Sequence, residues 1–378
     1  MKSHLFTAIA FFAILETSFA QGNLPPTYYS TITNQTCGPL KTALYNIISK
    51  NSVDLSYGGL WTTYPKTDAR RNDANTATIV WDMYSDNPTG AEPYTFTFIT
   101  DQCGTYGKEG DCYNREHSFP QSWFNSNSPM VSDIHHIFPT DGKVNGQRDN
   151  NPYGEVTSPT WTSLNGSKLG PAAAGLGFTG TVFEPINEYK GDFARAQLYM
   201  SVRYDNLIAG WQGNGNANDV LDGTQYPSFD AWYVKLLYKW HIQDPVSDKE
   251  RKRNDSIFVY QKNRNPFVDH PEWVYSIWSC TGYITATGVN DVDHVAVRGV
   301  TIYPNPVTNH VIAVRLEKAF MQQVQLQVID LTGRVLKQQQ LPSGQMSATI
   351  PVYELNPGMY ILKIQTRDGI ITKPVIIQ

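Results

Sequence analysis

Over the first two thirds of the chain, apolar residues recur at helical spacing. Phe229, Trp232, Tyr233, Leu236, Leu237 and Trp240 fall on one face of a predicted helix, and so dense an aromatic stripe reads as core. Leu40, Leu44, Ile47 and Ile48 make a second such face, and Phe193, Ala196, Met200 and Tyr204 a third. Ser247-Asp248-Lys249-Glu250 has the capping-box pattern, in which the serine hydroxyl and the glutamate satisfy opposite backbone N–H groups. A helix should start there and run toward Gln261. The pattern changes after Cys280. Residues 281–298 carry Gly, Thr, Asn and Asp without periodicity and read as a linker. Beyond them, period-two alternation in Val311–Leu316, Val324–Ile329, Tyr360–Ile364 and Ile370–Ile377 predicts strands, with turn signals at Thr332-Gly333 and Asp368-Gly369. The expected fold class is α+β: a mostly helical unit around a small hairpin over residues 21–280, then a small antiparallel β-sandwich over 299–378.

Length supports this division, since 378 residues exceed one ordinary domain. With 40% hydrophobic and 12% aromatic residues the chain can bury a sizeable core, and 17% charged residues is low for a cytosolic protein. Lys2, the apolar run Leu5 to Leu15 and Ser18-Phe19-Ala20 form a secretory signal over residues 1–20, cut after Ala20. That run is short for a bilayer span, and no later stretch approaches ~20 apolar residues. The mature chain is therefore expected to have no integral membrane segment and to be exported through the periplasm to the cell surface or medium. No cysteine follows the cleavage site, which argues against a lipid anchor.

Four cysteines in an exported chain point to two disulfides, with three pairings open. Cys103 and Cys112 flank a short Gly-rich loop and are expected to pair, leaving Cys37 with Cys280. A zinc site is the alternative, but the spacing contains no C-x-x-C.

Candidate chemistry concentrates in Glu116-His117 through Phe124 and in Asp133-Ile134-His135-His136 through Arg148. Together these hold a proton acceptor, carboxylates, a neutral oxygen donor and a cation, the groups needed to attack a phosphodiester. His117 is the expected base, because an unperturbed imidazole titrates near neutrality. Glu116 and Asn145 are oxygen ligands suited to a hard divalent cation, and so few protein ligands favour magnesium over structural zinc. Taken alone, Asn145-Gly146 also reads as a turn, and Asn150, Asn151, Pro152 and Gly154 as a helix stop.

Tyr113 through His117 with Pro120 and Ser122-Trp123-Phe124, then Asp133-Ile134-His135 and Pro139 through Gly154, resemble the secreted bacterial endonuclease I family. The likeness continues through Tyr189–Ala196 and Asn263–Glu272, covering about Leu40 to Trp278. It implies a strand-strand-helix (ββα) metal module with the base, His117, on the hairpin and Asn145 on the helix. Glu116 and Asn145 would hold Mg2+, with Mn2+ or Ca2+ as alternatives. The implied activity is nonspecific cleavage of DNA, with RNA left open, giving 5′-phosphate products. Some relatives carry a charge-stabilising arginine between the two motifs, but Phe119 to Ser132 contains none. Arg148, one helical turn past Asn145, is the expected substitute, with Arg115 and Arg264 as alternatives. Asp133 is expected to orient a histidine behind the site, with His135 its partner.

Neighbours on a regular strand point to opposite faces, so Glu116 and His117 together predict an irregular strand, which Pro120 supports. The net charge of −4 looks wrong for nucleic-acid binding, leaving phosphate contacts to local cations: Arg115, Lys252 within the basic run Lys249–Arg253, and Arg264. In the tail, Tyr303-Pro304-Asn305-Pro306, Asp330 through Arg334 and Pro357-Gly358-Met359-Tyr360 resemble the C-terminal sorting domain read by the type IX secretion system of Bacteroidetes. That likeness implies the secretion machinery as a partner. Two other function classes fit parts of the pattern: a surface adhesin or carbohydrate-binding protein without catalysis, and a zinc hydrolase using His117, His135 and Asp133.

Overall fold

The computed structural model describes residues 24–72, 74–284, 300–316, 324–330, 334–365 and 370–378. The signal segment 1–20, the linker beyond residue 284 and the turn signals at 332–333 and 368–369 lie outside them.

The first unit starts with α1 (Cys37–Ile48), α2 (Leu60–Thr67) and a small ladder of β1 (Ala69–Arg71) and β2 (Thr78–Val80). A hairpin of β3 (Tyr113–His117) and β4 (Ile137–Asp141) runs into α3 (Gly142–Arg148). A three-stranded sheet of β5 (Trp161–Thr162), β6 (Lys168–Pro171) and β7 (Thr181–Glu184) comes next. The unit closes with α4 (Lys190–Arg203), α5 (Ala231–Gln243), α6 (Asp248–Gln261), α7 (Pro266–Asp269) and α8 (Trp273–Trp278).

Helix α4 is buried on every side from Lys190 to Val202, as expected of a central core helix, and packs against α1, α5 and α7. The predicted stripes supply the surrounding core: Leu40, Leu44 and Ile48 of α1, and Trp232, Tyr233, Leu236, Leu237 and Trp240 of α5. Helix α6 begins at the predicted capping box, with Ser247 accepting from Glu250 N and Glu250 accepting from Ser247 N. The disulfides join Cys37 to Cys280, near the two ends of this unit, and Cys103 to Cys112 beside the hairpin.

The tail is all β. One sheet has the order β11 (Val335–Leu341), β10 (Val324–Ile329), β13 (Gly358–Gln365), β14 (Ile370–Ile377), and the other β12 (Ser347–Pro351), β9 (Val311–Leu316), β8 (Val300–Tyr303). Val324, Leu326 and Val328 alternate inward with Ile312, Val314 and Ile350 from the other sheet in one core, which makes the pair a sandwich. β8, β11 and β12 were not among the expected strands; β11 carries Lys337-Gln338-Gln339-Gln340, which hides its alternation. Among the described residues, no helix is long and apolar enough to cross a membrane.

Candidate active site

Hairpin and helix are joined by two matched side-chain pairs. Asn114 and Glu116, two apart on β3, share a strand face; Asn145 and Arg148, three apart on α3, share a helix face. Asn145 Nδ2 donates to Asn114 Oδ1 at 2.7 Å, and Arg148 Nη1 donates to Glu116 Oε1 at 3.1 Å. Asp141 starts the helix by accepting from Val144 N at 2.8 Å, so the strand leads directly into the turn that carries Asn145.

Glu116 is buried, and three donors converge on its Oε1: Tyr84 Oη at 2.9 Å, Arg148 Nη1 at 3.1 Å and Tyr153 Oη at 3.4 Å. No described group donates to Oε2, and Glu116 lines a cavity of about 370 Å³ together with His117, Asn114 and Asn145. Burial raises the Glu116 pKa, opposed first by Arg148 and then by the two tyrosines.

His117 is 7% exposed, with its ring between Tyr57, His136 and Phe124. Its Nε2 lies 3.3 Å from the Val131 carbonyl, which can only accept, so the tautomer that makes this bond carries its hydrogen on Nε2. Burial, then the neighbouring His136, push its pKa down to about 3, against the pull of the Val131 and Arg115 carbonyls. The imidazole is neutral at pH 7, as a base must be.

Strand irregularity, expected from the Glu116-His117 pair, is absent: the register runs unbroken from Tyr113↔Asp141 to His117↔Ile137. The hairpin is two-stranded, so β3 has an open edge beyond Tyr113. The cavity follows that edge, and side chains from both faces of the strand reach it.

Several expected roles are corrected. Arg148 is only 1% exposed, and both terminal nitrogens are taken: Nη1 also donates to His117 O at 2.8 Å, and Nη2 to Ser118 O at 2.7 Å. It braces Glu116 and the end of the strand instead of offering a free edge to substrate. Asp133 orients no histidine ring. Its carboxylate accepts from Tyr199 Oη at 2.9 Å, Tyr204 Oη at 2.8 Å and Gln261 Nε2 at 2.7 Å, inside the core.

His135 turns away as well, with Nε2 3.2 Å from Asn263 O and its ring against Tyr199. It is His136 that stands beside His117, with ring centroids 5.7 Å apart, Nε2 2.8 Å from Met130 O and Nδ1 without a partner. The zinc reading fails on the same geometry: the described residues hold no group of three or more His, Cys, Asp or Glu placed to bind a metal.

Of the basic run, Arg251 and Lys252 are exposed on α6, while Lys249 and Arg253 are tied into the fold. Arg264 is buried between Asp255 and Asp269, each at 2.7 Å. Arg253 pairs with Asp68 at 2.6 Å, and Lys249 Nζ donates to Ala69 O at 2.6 Å. Lys252 does not line the cavity. Arg115 does line it, with Cζ 3.3 Å from the Tyr57 ring centroid and 4.5 Å from that of Trp61, and with Nη1 donating to Tyr57 O at 2.7 Å.

Tyr57, Trp61 and Tyr84 carried no sequence signal for the site, because they come from separate segments; His136 lay within the Asp133–His136 run, where no local pattern singles it out over His135. Asn114 did carry one, lying two residues before Glu116 and hence on its face. The Cys103–Cys112 disulfide closes a wall of the cavity and ends a loop whose Tyr106 packs on α3; a Cβ at Gly146 would lie 2.2 Å from Tyr106 Oη.

The donor set fits a hard cation. Glu116 Oε2 has no protein donor, and donation by Asn145 Nδ2 turns that amide's Oδ1 into its open acceptor. One carboxylate and one amide oxygen leave most of a coordination shell to water and substrate, the pattern magnesium favours.

The family model described as Endonuclease I matches residues 36–272, and the one described as Secretion system C-terminal sorting domain matches residues 301–378. The chain is 34% identical over 259 residues to an extracellular ribonuclease of Bacillus amyloliquefaciens, covering 67% of this chain and 78% of that protein. An extracellular ribonuclease of Bacillus subtilis (strain 168) is 34% identical over 264 residues, with 67% and 78% covered. An extracellular deoxyribonuclease of Aeromonas hydrophila is 29% identical over 141 residues, 37% of this chain and 50% of that protein.

Proposed function

The chain belongs to the endonuclease I family and ends in a secretion-system sorting domain that marks it for export; on that premise we propose that it is a magnesium-dependent endonuclease hydrolysing RNA and DNA with little sequence preference. The observation that carries this reading is that His117, held neutral by burial, lines one cavity with Asn145 and with Glu116, whose Oε2 has no described donor. His117 takes a proton from water as the new oxygen–phosphorus bond forms. The bond to the 3′-oxygen breaks and that oxygen takes up a proton from a second water, leaving a 3′-hydroxyl and a 5′-phosphate. A divalent cation held by Glu116 and Asn145 would supply Lewis-acid stabilisation of the developing charge. Arg115 takes the role of the cation beside the reacting phosphate in place of Arg148. RNA stands beside DNA because the two Bacillus ribonucleases align over more of this chain than the Aeromonas deoxyribonuclease does.

The test is cleavage of supercoiled plasmid and of RNA by the mature chain, in magnesium or EDTA, for wild type and His117→Ala. Loss of a general base should cost on the order of 10²–10⁴ in rate. Wild-type turnover in His117→Ala would overturn the assignment of the base; no cleavage by folded wild type under any divalent metal would overturn the nuclease reading.

A further inference from the structure

The cavity beside His117 is poor in cations for a nucleic-acid site. Among the described residues lining it, the cationic side chains are Arg115 and Arg148; there is no lysine, and Asp149 adds a negative charge. Arg148 is neutralised by Glu116 and fixed on two carbonyls. Duplex-binding grooves derive most of their nonspecific affinity from neutralising several phosphates, and a single available arginine supplies little of that. Beyond Arg115 and a divalent cation on Glu116 and Asn145, the cavity's own side chains leave room for a further, uncharged source of affinity.

An aromatic surface is available on the same wall. Tyr57 keeps 37% of its surface exposed although the Arg115 guanidinium covers one face at 3.3 Å. Arg115 is in turn held in place by Trp61 and by its hydrogen bond to the Tyr57 carbonyl. The stack is therefore fixed before substrate arrives. The Tyr57 and His117 ring centroids are 5.9 Å apart, so a phosphate in reach of His117 brings its own nucleoside to Tyr57.

We propose that Tyr57 is a base-stacking platform, and that the site accordingly takes nucleic acid as a single strand, with the base next to the scissile phosphate laid on that ring. This rests on the nuclease reading and names its substrate class. In a duplex both faces of a base are covered by its neighbours, so presenting one to Tyr57 requires unstacking and unpairing; in a single strand the face is nearly free. Stacking tolerates any base, which is consistent with little sequence preference.

The experiment is fluorescence anisotropy of a labelled single-stranded 12-mer, and of the same sequence as a duplex, with the full mature chain in EDTA so that nothing turns over. Wild type, Tyr57→Phe, Tyr57→Leu and Tyr57→Ala are compared. Leucine still covers Arg115 but has no π face, so it separates stacking from packing. Tyr57→Leu and Tyr57→Ala should each weaken single-strand binding about 5- to 150-fold, equivalent to about 1–3 kcal/mol for one stacked base, while Tyr57→Phe stays near wild type.

The duplex should bind more weakly and respond little to these changes. Single-strand affinity should fall with salt at a log–log slope of about −0.7, one phosphate contact. Wild-type single-strand affinity in Tyr57→Leu, or duplex binding as tight as single-strand binding, would overturn the proposal. Cleavage of single-stranded DNA and of RNA by wild type in magnesium is run alongside. Its failure would sink the nuclease reading while leaving a Tyr57-dependent single-strand site standing.

Discussion

Replacing Arg148 with methionine distinguishes a brace from a charge-stabilising catalytic arginine. In the folded chain this guanidinium is the cationic partner of a buried carboxylate and also donates to the His117 and Ser118 carbonyls. Ser118 O keeps a second donor, Gln197 Nε2 at 2.7 Å, so the main loss falls on Glu116. Removing one member of a buried ion pair costs about 3–5 kcal/mol, because the other charge stays buried without compensation. For a unit of this size, that corresponds to about 6–20 °C in Tm. All nine tryptophans precede Cys280, so tryptophan fluorescence reports unfolding of the catalytic unit without interference from the tail.

A second consequence concerns Glu116 itself. Burial already raises its pKa, and Arg148 is the first influence opposing this. Without the arginine the carboxyl stays protonated to higher pH, and a protonated carboxyl binds a cation poorly. Arg148→Met should therefore need more magnesium for half-maximal activity, and the deficit should shrink as pH rises. Wild-type Tm and wild-type magnesium dependence, with only kcat reduced, would refute the brace and restore Arg148 as a transition-state group.

The two disulfides should separate stability from activity. In the chain-entropy picture the Cys37–Cys280 bridge, closing 243 residues, contributes about 5 kcal/mol, and Cys103–Cys112, closing 9, about 3. Paired Cys→Ser variants, compared by fluorescence-detected unfolding and by cleavage well below Tm, should show the larger stability loss for the first and the larger kcat/KM loss for the second, which walls the cavity. The reverse order in activity would refute that division.

His241 is buried neutral, with its pKa down to about 3 from burial and then from Arg195. The unfolded chain binds that proton near pH 6.5 and the folded chain does not, so this histidine's contribution falls by about 1.4 kcal/mol per pH unit as pH drops from 6.5 toward 3. Measured as the difference between wild type and His241→Phe, a flat curve over pH 7 to 5 would contradict it. Ser247→Ala should cost about 1 kcal/mol by removing the α6 cap; no change in unfolding midpoint would show the cap to be idle.

Local periodicity and short spacing were enough to lay out much of the fold. The stripes of α1, α4 and α5, the Ser247 capping box and the alternation in β9, β10 and β14 each follow from neighbours within a turn or two, and all became elements of the fold. Glu116, His117 and Asn145, singled out in sequence, line one cavity, because the groups of a compact hairpin-helix unit lie close in sequence as well as in space.

Which cations stay free, and which histidine stands beside His117, depends on long-range packing. Arg148, Arg253 and Arg264 look in sequence like available charges, yet each meets a carboxylate brought from a distant segment or the next turn: Glu116, Asp68, Asp255 with Asp269. His135 and His136 are adjacent, and the backbone at 133–136 turns the second ring toward His117 while the first is drawn to Asn263, more than a hundred residues away. Tyr57 and Arg115 meet for the same reason. Side-chain direction at a site is set by packing partners remote along the chain, and no local pattern carries that information.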